Sequence, residues 1–265
     1  MRQAILPLAL FSAFLCSCVS FMWNTAAVPR VAAQYAGEQA FSTSFPEGGE
    51  LIFIGVSHKT TYKTDSINLA LNYAAYKAAC FQTVVGKYAA FNSTGGGRFL
   101  DFTQETGFEL EPDESNKEAY ERYLDSLTYD EARDVYEVGD TVYVRAHYAD
   151  ASLNVVNRLG PREADGAPSW IAEQPVIPGY AVGVGTANRR TYHAETIKDS
   201  FINTVVTLVT MLNPSIKNDS INVSSDDRRR EHTFVTGEDT LSGFCVLDFW
   251  TDPSGAVWTL GVARK

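Results

Sequence analysis

The sequence predicts an α+β protein built from two similar small domains, each an antiparallel sheet with one main helix packed on one face. Three observations predict this. A strand, a helix and a hairpin occur in that order twice along the chain. Each helical segment carries apolar residues at helical spacing, so one face must be covered. Each unit closes on a turn flanked by strand-forming residues. With 265 residues, 45% hydrophobic and 20% charged, the chain has the composition of a globular protein and the length for one large core or two small ones.

The N-terminus reads as a targeting segment. Met1-Arg2-Gln3 is a short basic start, and Ala4 to Leu15 is an almost wholly apolar run of signal-peptide length. It is short for a bilayer-spanning helix, which needs roughly 20 apolar residues. The run ends in Leu15-Cys16-Ser17-Cys18, which resembles a bacterial lipobox: Leu15 lies three places before Cys18, and Ser17 is the small residue immediately before it. The resemblance implies cleavage before Cys18 and acylation of that cysteine. Cys16 fits less well because bulky Leu15 would precede it. A secretory signal without lipid is the plainer alternative. Each buried acyl methylene contributes about 0.8 kcal/mol to anchoring. Val19 after the cysteine favours the outer over the inner membrane under the sorting rule of some bacteria.

The predicted organisation is a signal peptide at 1–17, a lipidated tether at 18–48, a first α+β repeat at 49–150, a linker containing Trp170 at 151–178, and a second repeat at 179–265. The tether is rich in Ala, Ser and Thr with no sustained period. In the first repeat, Leu51 to Ser57 reads as a buried strand whose apolar run ends at Gly55 and small polar residues, as a strand leaving its sheet would. Ile67, Ala70, Leu71, Ala74, Ala75 and Ala78 then share one helix face, with Asp65 as the expected N-cap. Ala132 to Glu137, the Gly139-Asp140 turn and Thr141 to Ala146 form the hairpin.

In the second repeat, Tyr180 to Thr186 is the strand, and Ala194, Ile197, Phe201, Val205, Leu208 and Leu212 share the helix face. The β-branched stretch Thr204 to Thr210 has strand propensity; the parallel with the first repeat decides for helix, ended by Asn213-Pro214. Leu241 to Trp250, the Asp252-Pro253-Ser254-Gly255 turn and Val257 to Val262 form the closing hairpin. Asp134 and Tyr136 stand where Asp248 and Trp250 stand, and Tyr143 matches Trp258. Between the repeats, Gly160-Pro161, Gly166-Ala167-Pro168 and Pro175 mark a connection, in which Trp170 and Ile171 are costly to leave in water.

The second repeat resembles the LPP-twenty group of bacterial surface lipoproteins. The likeness rests on Ala167-Pro168-Ser169-Trp170-Ile171, the Tyr180–Ala187 strand with Gly183-Val184-Gly185, the helix after a polar gap, and the hairpin with Asp248, Trp250 and Trp258. The first repeat is similar to a divergent copy. The resemblance implies a small α+β fold in an envelope lipoprotein without established catalysis, and it points to protein partners.

Other chemistry is thin. A net charge of −10 opposes nucleic-acid binding and electrostatic adhesion to anionic lipid. Thr94-Gly95-Gly96-Gly97-Arg98 lacks the Gly-Lys-Ser/Thr ending of a phosphate loop, and Gly183-Val184-Gly185 lacks the third glycine of the dinucleotide fingerprint. His58, His147, His193 and His232 show no metal spacing, so no metal or other cofactor is expected. His193 with Glu195, or His58, are the candidates for acid–base work, with a solvated loop as the plainer reading.

The acidic run Glu105 to Glu121 and the mixed run Asp226 to Glu231 read as solvated segments, with a basic or divalent partner and a docking loop as their alternatives. The sequons at Asn92, Asn218 and Asn222 carry no weight in a bacterial lipoprotein. Cys80 and Cys245 are the usable thiols; pairing and separate burial both stay open. The expected function is a lipid-anchored envelope lipoprotein with an interaction or structural role and no catalytic residues, with envelope proteins as partners and a homodimer as an option. The alternatives are a carrier of a small apolar ligand and, last, an envelope hydrolase.

Overall fold

The computed structural model describes residues 50–95, 102–152, 159, 162–163, 166–213, 216–217 and 230–265. Leu15, Cys16, Ser17 and Cys18 lie outside the described residues, as do 96–101 and 218–229.

The chain forms β1 (Glu50–His58), α1 (Lys63–Gln82), β2 (Val84–Gly95), β3 (Phe102–Glu111), β4 (Leu127–Thr128), β5 (Val135–Val138), β6 (Thr141–Ser152), β7 (Tyr180–Ala187), α2 (His193–Leu212), β8 (Ile216–Lys217), β9 (Arg230–Leu241), β10 (Cys245–Thr251) and β11 (Val257–Arg264). Short helical turns occupy Lys117–Tyr120, Glu121–Ser126, Glu131–Asp134 and Ser169–Ile171. The fold is α+β, with antiparallel sheets and two long helices.

Two sheets repeat one plan. In the first, β1 pairs with β6, whose other edge takes β5 and β4; in the second, β7 pairs with β11, which takes β10. Each opening strand leads into a helix that packs back on its own sheet. Gly55 and Gly185 make that approach possible. A Cβ on Gly55 would overlap the Ala70 carbonyl, and one on Gly185 would overlap the backbone at Ser200 and Thr204. The correspondence continues into both helix starts. Thr60 N–H donates to Ser66 Oγ at 2.8 Å, and Arg190 N–H donates to Thr196 Oγ1 at 2.9 Å. Each bond holds the loop that enters the helix.

The hairpins correspond as well. Tyr136 faces Tyr143 across β5 and β6, and Trp250 faces Trp258 across β10 and β11. The first turn places Gly139 at φ +57°; the second places Gly255 at φ +89°. In the second turn, Asp252 Oδ1 accepts from Ser254 N–H at 2.8 Å and Ala256 N–H at 3.1 Å.

Several expectations are corrected. Tyr62, not Asp65, occupies the N-cap position of α1, without a side-chain capping bond; Asp65 lies in the first helical turn, where its charge suits the helix dipole. Ala132 to Asp134 are helical, and the strand begins only at Val135, because Asp130 Oδ1 accepts from Ala132 N–H and caps a turn there. Leu241 to Trp250 is not one strand. Leu241 ends β9, Gly243 turns the chain at φ +63°, and β10 starts at Cys245. Helix α2 runs through the β-branched stretch to Leu212, with Thr204, Thr207 and Thr210 hydroxyls donating to carbonyls four residues earlier.

A third sheet lies outside the two-repeat plan. Its order is β3-β2-β9-β8, and β2 pairs with β9 from Val84 opposite Leu241 to Gly95 opposite Arg230. It joins a strand that follows α1 to a strand that follows α2. The acidic run therefore begins as strand rather than as a solvated helix or loop, and Arg230 and Glu231 of the mixed run begin β9.

The core follows this interlocking. One cluster combines Ile54, Val56, Tyr73, Tyr76 and Tyr143 with Phe201, Leu208, Phe244 and Phe249. Residues of the two repeats thus share one interior, each fully buried large apolar side chain contributing roughly 1.5–3 kcal/mol. Phe201 meets Tyr73 edge-on at 6.0 Å and Phe244 at 5.2 Å, and Tyr143 stacks on Phe249 at 6.3 Å.

Candidate functional site

Among the described residues, three clusters and a set of separate thiols and histidines hold the chemistry-bearing side chains. The first surrounds Asp248, which is 2% exposed. Arg162 Nη2 donates to both of its carboxylate oxygens, at 2.9 and 3.0 Å, and Trp170 Nε1 donates to Oδ2 at 2.8 Å. Strand β10 fixes the carboxylate, and the connecting segment supplies both donors, so the bond set staples that segment to the second sheet. Trp170 is 1% exposed, as its apolar bulk requires. In the first repeat, Asp134 is also buried, with Oδ2 accepting from Asp130 N–H at 2.8 Å and lying 3.4 Å from His147 Nε2. A buried carboxylate with satisfied bonds in both repeats is structural chemistry.

The second cluster is centred on Lys77. Its ammonium donates to Ile54 O at 2.8 Å and lies 5.0 Å from the Tyr73 ring centroid and 5.4 Å from that of Phe201. Burial lowers the Lys77 pKa from its ordinary value to about 7. Beside it, Ile52, Ile54, Cys245, Val246 and Phe249 line a cavity of about 10 Å³ between the repeats. That is room for about one water.

The thiols and histidines form no cluster; each has its own surroundings. Cys80 and Cys245 are both buried and unbonded to each other, and burial pushes each thiol up to about 12. His193 is buried with Nε2 3.2 Å from Thr251 Oγ1, whereas Glu195 turns to Lys198 at 3.5 Å. The His193–Glu195 pair is therefore split between the interior and a surface ion pair. His58 stacks on Tyr192 at 5.1 Å. His232 lies on β9, opposite Ser93 in register. Among the described residues no group of histidine, cysteine and carboxylate side chains could hold a metal ion.

The third cluster includes Glu109, Glu111, Asp113 and Glu114 of the acidic run, for which the sequence offers a basic or divalent partner as the alternative to a solvated segment. A surface cleft of about 420 Å³ is lined by Tyr76 of α1, Ile202 of α2, and Phe108, Glu109, Leu110, Glu111, Asp113 and Glu114. Leu110 is half-buried against the core, and Phe108 is 45% exposed. Lys198 Nζ donates to Glu114 Oε1 at 2.7 Å, tying this wall to α2. The signal available in sequence was the interleaving of Phe108 and Leu110 with carboxylates; placing the run on a strand required its distant partners.

No helix among the described residues is long and apolar enough to cross a membrane. In comparisons with family models, curated proteins and solved structures, nothing matches this chain.

Proposed function

We propose that the protein is a lipid-anchored lipoprotein of the bacterial cell envelope, held through Cys18 with the outer membrane as its site, and that its role is a non-catalytic one of contact with other envelope proteins. The Leu15-Cys16-Ser17-Cys18 motif supplies the anchor, and the LPP-twenty-like order of motifs in the second repeat agrees with it. The observation that favours a contact role over the carrier alternative is the small space between β1 and β10. A carrier of a small apolar ligand needs an enclosed apolar cavity, commonly 300 Å³ or more. The space between β1 and β10 holds about 10 Å³.

A hydrolase needs a nucleophile, a base and an accessible cleft in one place. His193 and Thr251 meet in a part-buried contact, and Glu195 faces elsewhere. A larger concavity is the open cleft beside β3, which suits a surface contact with another protein.

The test is intact mass on the mature protein from bacterial membranes, with a Cys18→Ser variant alongside. The reading expects an N-terminus at Cys18 carrying acyl chains, and release from membranes in the variant. An unmodified N-terminus at another position would sink the anchor and leave an exported binding protein in its place.

A further inference from the structure

Sheets offer partners their edges, and this molecule treats its edges unequally. Strand β1 ends its sheet, and Lys77 from α1 donates to the Ile54 carbonyl there. Strand β7 ends its sheet in the same way. Asn203 Nδ2 donates to Thr186 O at 2.7 Å and Thr207 Oγ1 to Val184 O at 3.3 Å, both from α2. Side chains of the neighbouring helix thus occupy backbone acceptors that would otherwise invite another strand.

Strand β3 also ends its sheet, and among the described residues nothing pairs with its second edge. The 420 Å³ cleft opens there. Successive residues of a strand point to opposite faces, yet Phe108, Glu109, Leu110 and Glu111 all line the cleft. A concavity touched by four consecutive strand residues runs along the strand edge rather than over one face.

We propose that the β3 edge is a strand-addition site, and that its occupant is an extended, cationic segment of a partner protein. The backbone of β3 supplies the hydrogen bonds, as in strand augmentation generally. Charge complementarity selects the partner: Glu109, Glu111 and Asp113 are exposed beside the edge, and of the carboxylates in the cleft Glu114 is the one held by Lys198. Phe108, Leu110 and Ile202 accept the apolar side chains that alternate with the charges. A second copy of this chain would bring the same carboxylates against themselves, and like charges opposite one another oppose pairing. The inference deepens the contact role proposed above and rests on it for the identity of the partner as an envelope protein, not for the binding itself.

The probe is a synthetic peptide of alternating lysine and valine, added to the purified acylated protein and followed by titration calorimetry and amide hydrogen exchange. The expected result is saturable binding with slowed exchange in Phe102–Glu111. N-methylating alternate peptide amides, which removes donors and leaves charge intact, is expected to weaken binding by on the order of tenfold. The Glu109→Lys, Glu111→Lys variant, altered at two exposed positions and so expected to fold, should weaken it similarly. Absence of binding, binding without protection of β3, or indifference to N-methylation would each overturn the proposal. Concentration-dependent protection of β3 without peptide would name a second copy as occupant and overturn it too. Acylation of Cys18 is read separately, so a bare N-terminus with peptide binding intact removes the envelope reading and leaves the edge site standing.

Discussion

Lys77 Nζ donates to the Ile54 carbonyl at 2.8 Å, and the same place in the second repeat is taken by Thr207 Oγ1 and the Val184 carbonyl at 3.3 Å. One geometry, helix side chain to strand-edge carbonyl, is therefore met by an ammonium in one repeat and a hydroxyl in the other. The hydroxyl carries no charge to desolvate. The ammonium does, and the difference has a measurable consequence.

Burial lowers the Lys77 pKa to about 7 in the folded chain, while the unfolded lysine titrates at its ordinary value of 10.5. Between those values the unfolded state binds more protons, so stability rises with pH across that window and is lost as pH falls through 7. The rise amounts to about 2 kcal/mol from pH 7 to 9. Above the ordinary thiol value of 9 the effect meets an opposing one: Cys80 and Cys245 stay protonated in the fold up to about 12, so unfolding releases their protons and stability falls. Urea unfolding of the wild type and of Lys77→Met at pH 7, 8 and 9 checks this. The variant should lose the upward slope; an equal slope in both proteins would show that Lys77 is not its source.

Gly55 and Gly185 are expected to tolerate no side chain. Gly55→Ala drives a methyl into the Ala70 carbonyl, and Gly185→Ala drives one into the backbone at Ser200 and Thr204. Backbone cannot rotate away, so each variant should cost about 3–5 kcal/mol or fail to fold. Gly183→Ala is the control: its nearest neighbour is the buried Leu208 side chain, with Cγ at 2.9 Å, rather than backbone, and its cost should be about 1–3 kcal/mol. Circular dichroism melts of the three variants decide it; equal behaviour at the three positions would contradict the packing argument.

These glycines also show how much was legible in the sequence. Gly55 and Gly185 each lie in an apolar run before a helix with one apolar face, so the strand–helix unit could be read twice, although both strands continue through the glycine to His58 and Ala187. The paired hairpins, with Tyr136 opposite Tyr143 and Trp250 opposite Trp258, were legible from turn chemistry. The β3-β2-β9-β8 sheet was not. Its central pair joins Val84 to Leu241 across most of the chain, and no local periodicity encodes a partner so distant. Glu109 and Glu111 alternate with Phe108 and Leu110, which is a strand pattern, but their charge reads as solvation until the sheet is in view. The cleft was illegible for the same reason, since Tyr76, Ile202 and Glu109 meet only in the folded chain.

The two thiols are expected to behave as inert core residues. Cys80 and Cys245 are unpaired and buried, and pKa values near 12 leave almost no thiolate at neutral pH. Alkylation of the folded protein, followed by peptide mapping, should leave both unmodified for hours and modify both on adding denaturant. Recovery of the two residues in one disulfide-linked peptide without reductant would contradict the structure.

The Asp248 staple gives the last prediction. Its carboxylate is held by Arg162 through two bonds and by Trp170 through one. Asp248→Ala removes the acceptor while leaving a half-buried guanidinium and a buried indole N–H, so the cost should be about 3–5 kcal/mol, larger than the worth of the contacts themselves. Trp170→Phe removes a single donor and some bulk and should cost about 1–3 kcal/mol. The two variants separate a staple from simple core filling. If Asp248 holds the connecting segment, limited proteolysis of the folded Asp248→Ala protein should cut near Trp170 well before either hairpin is attacked. Uniform cutting throughout, matching the global loss of stability, would mean that the segment is held by apolar burial and that the carboxylate has no special part in it.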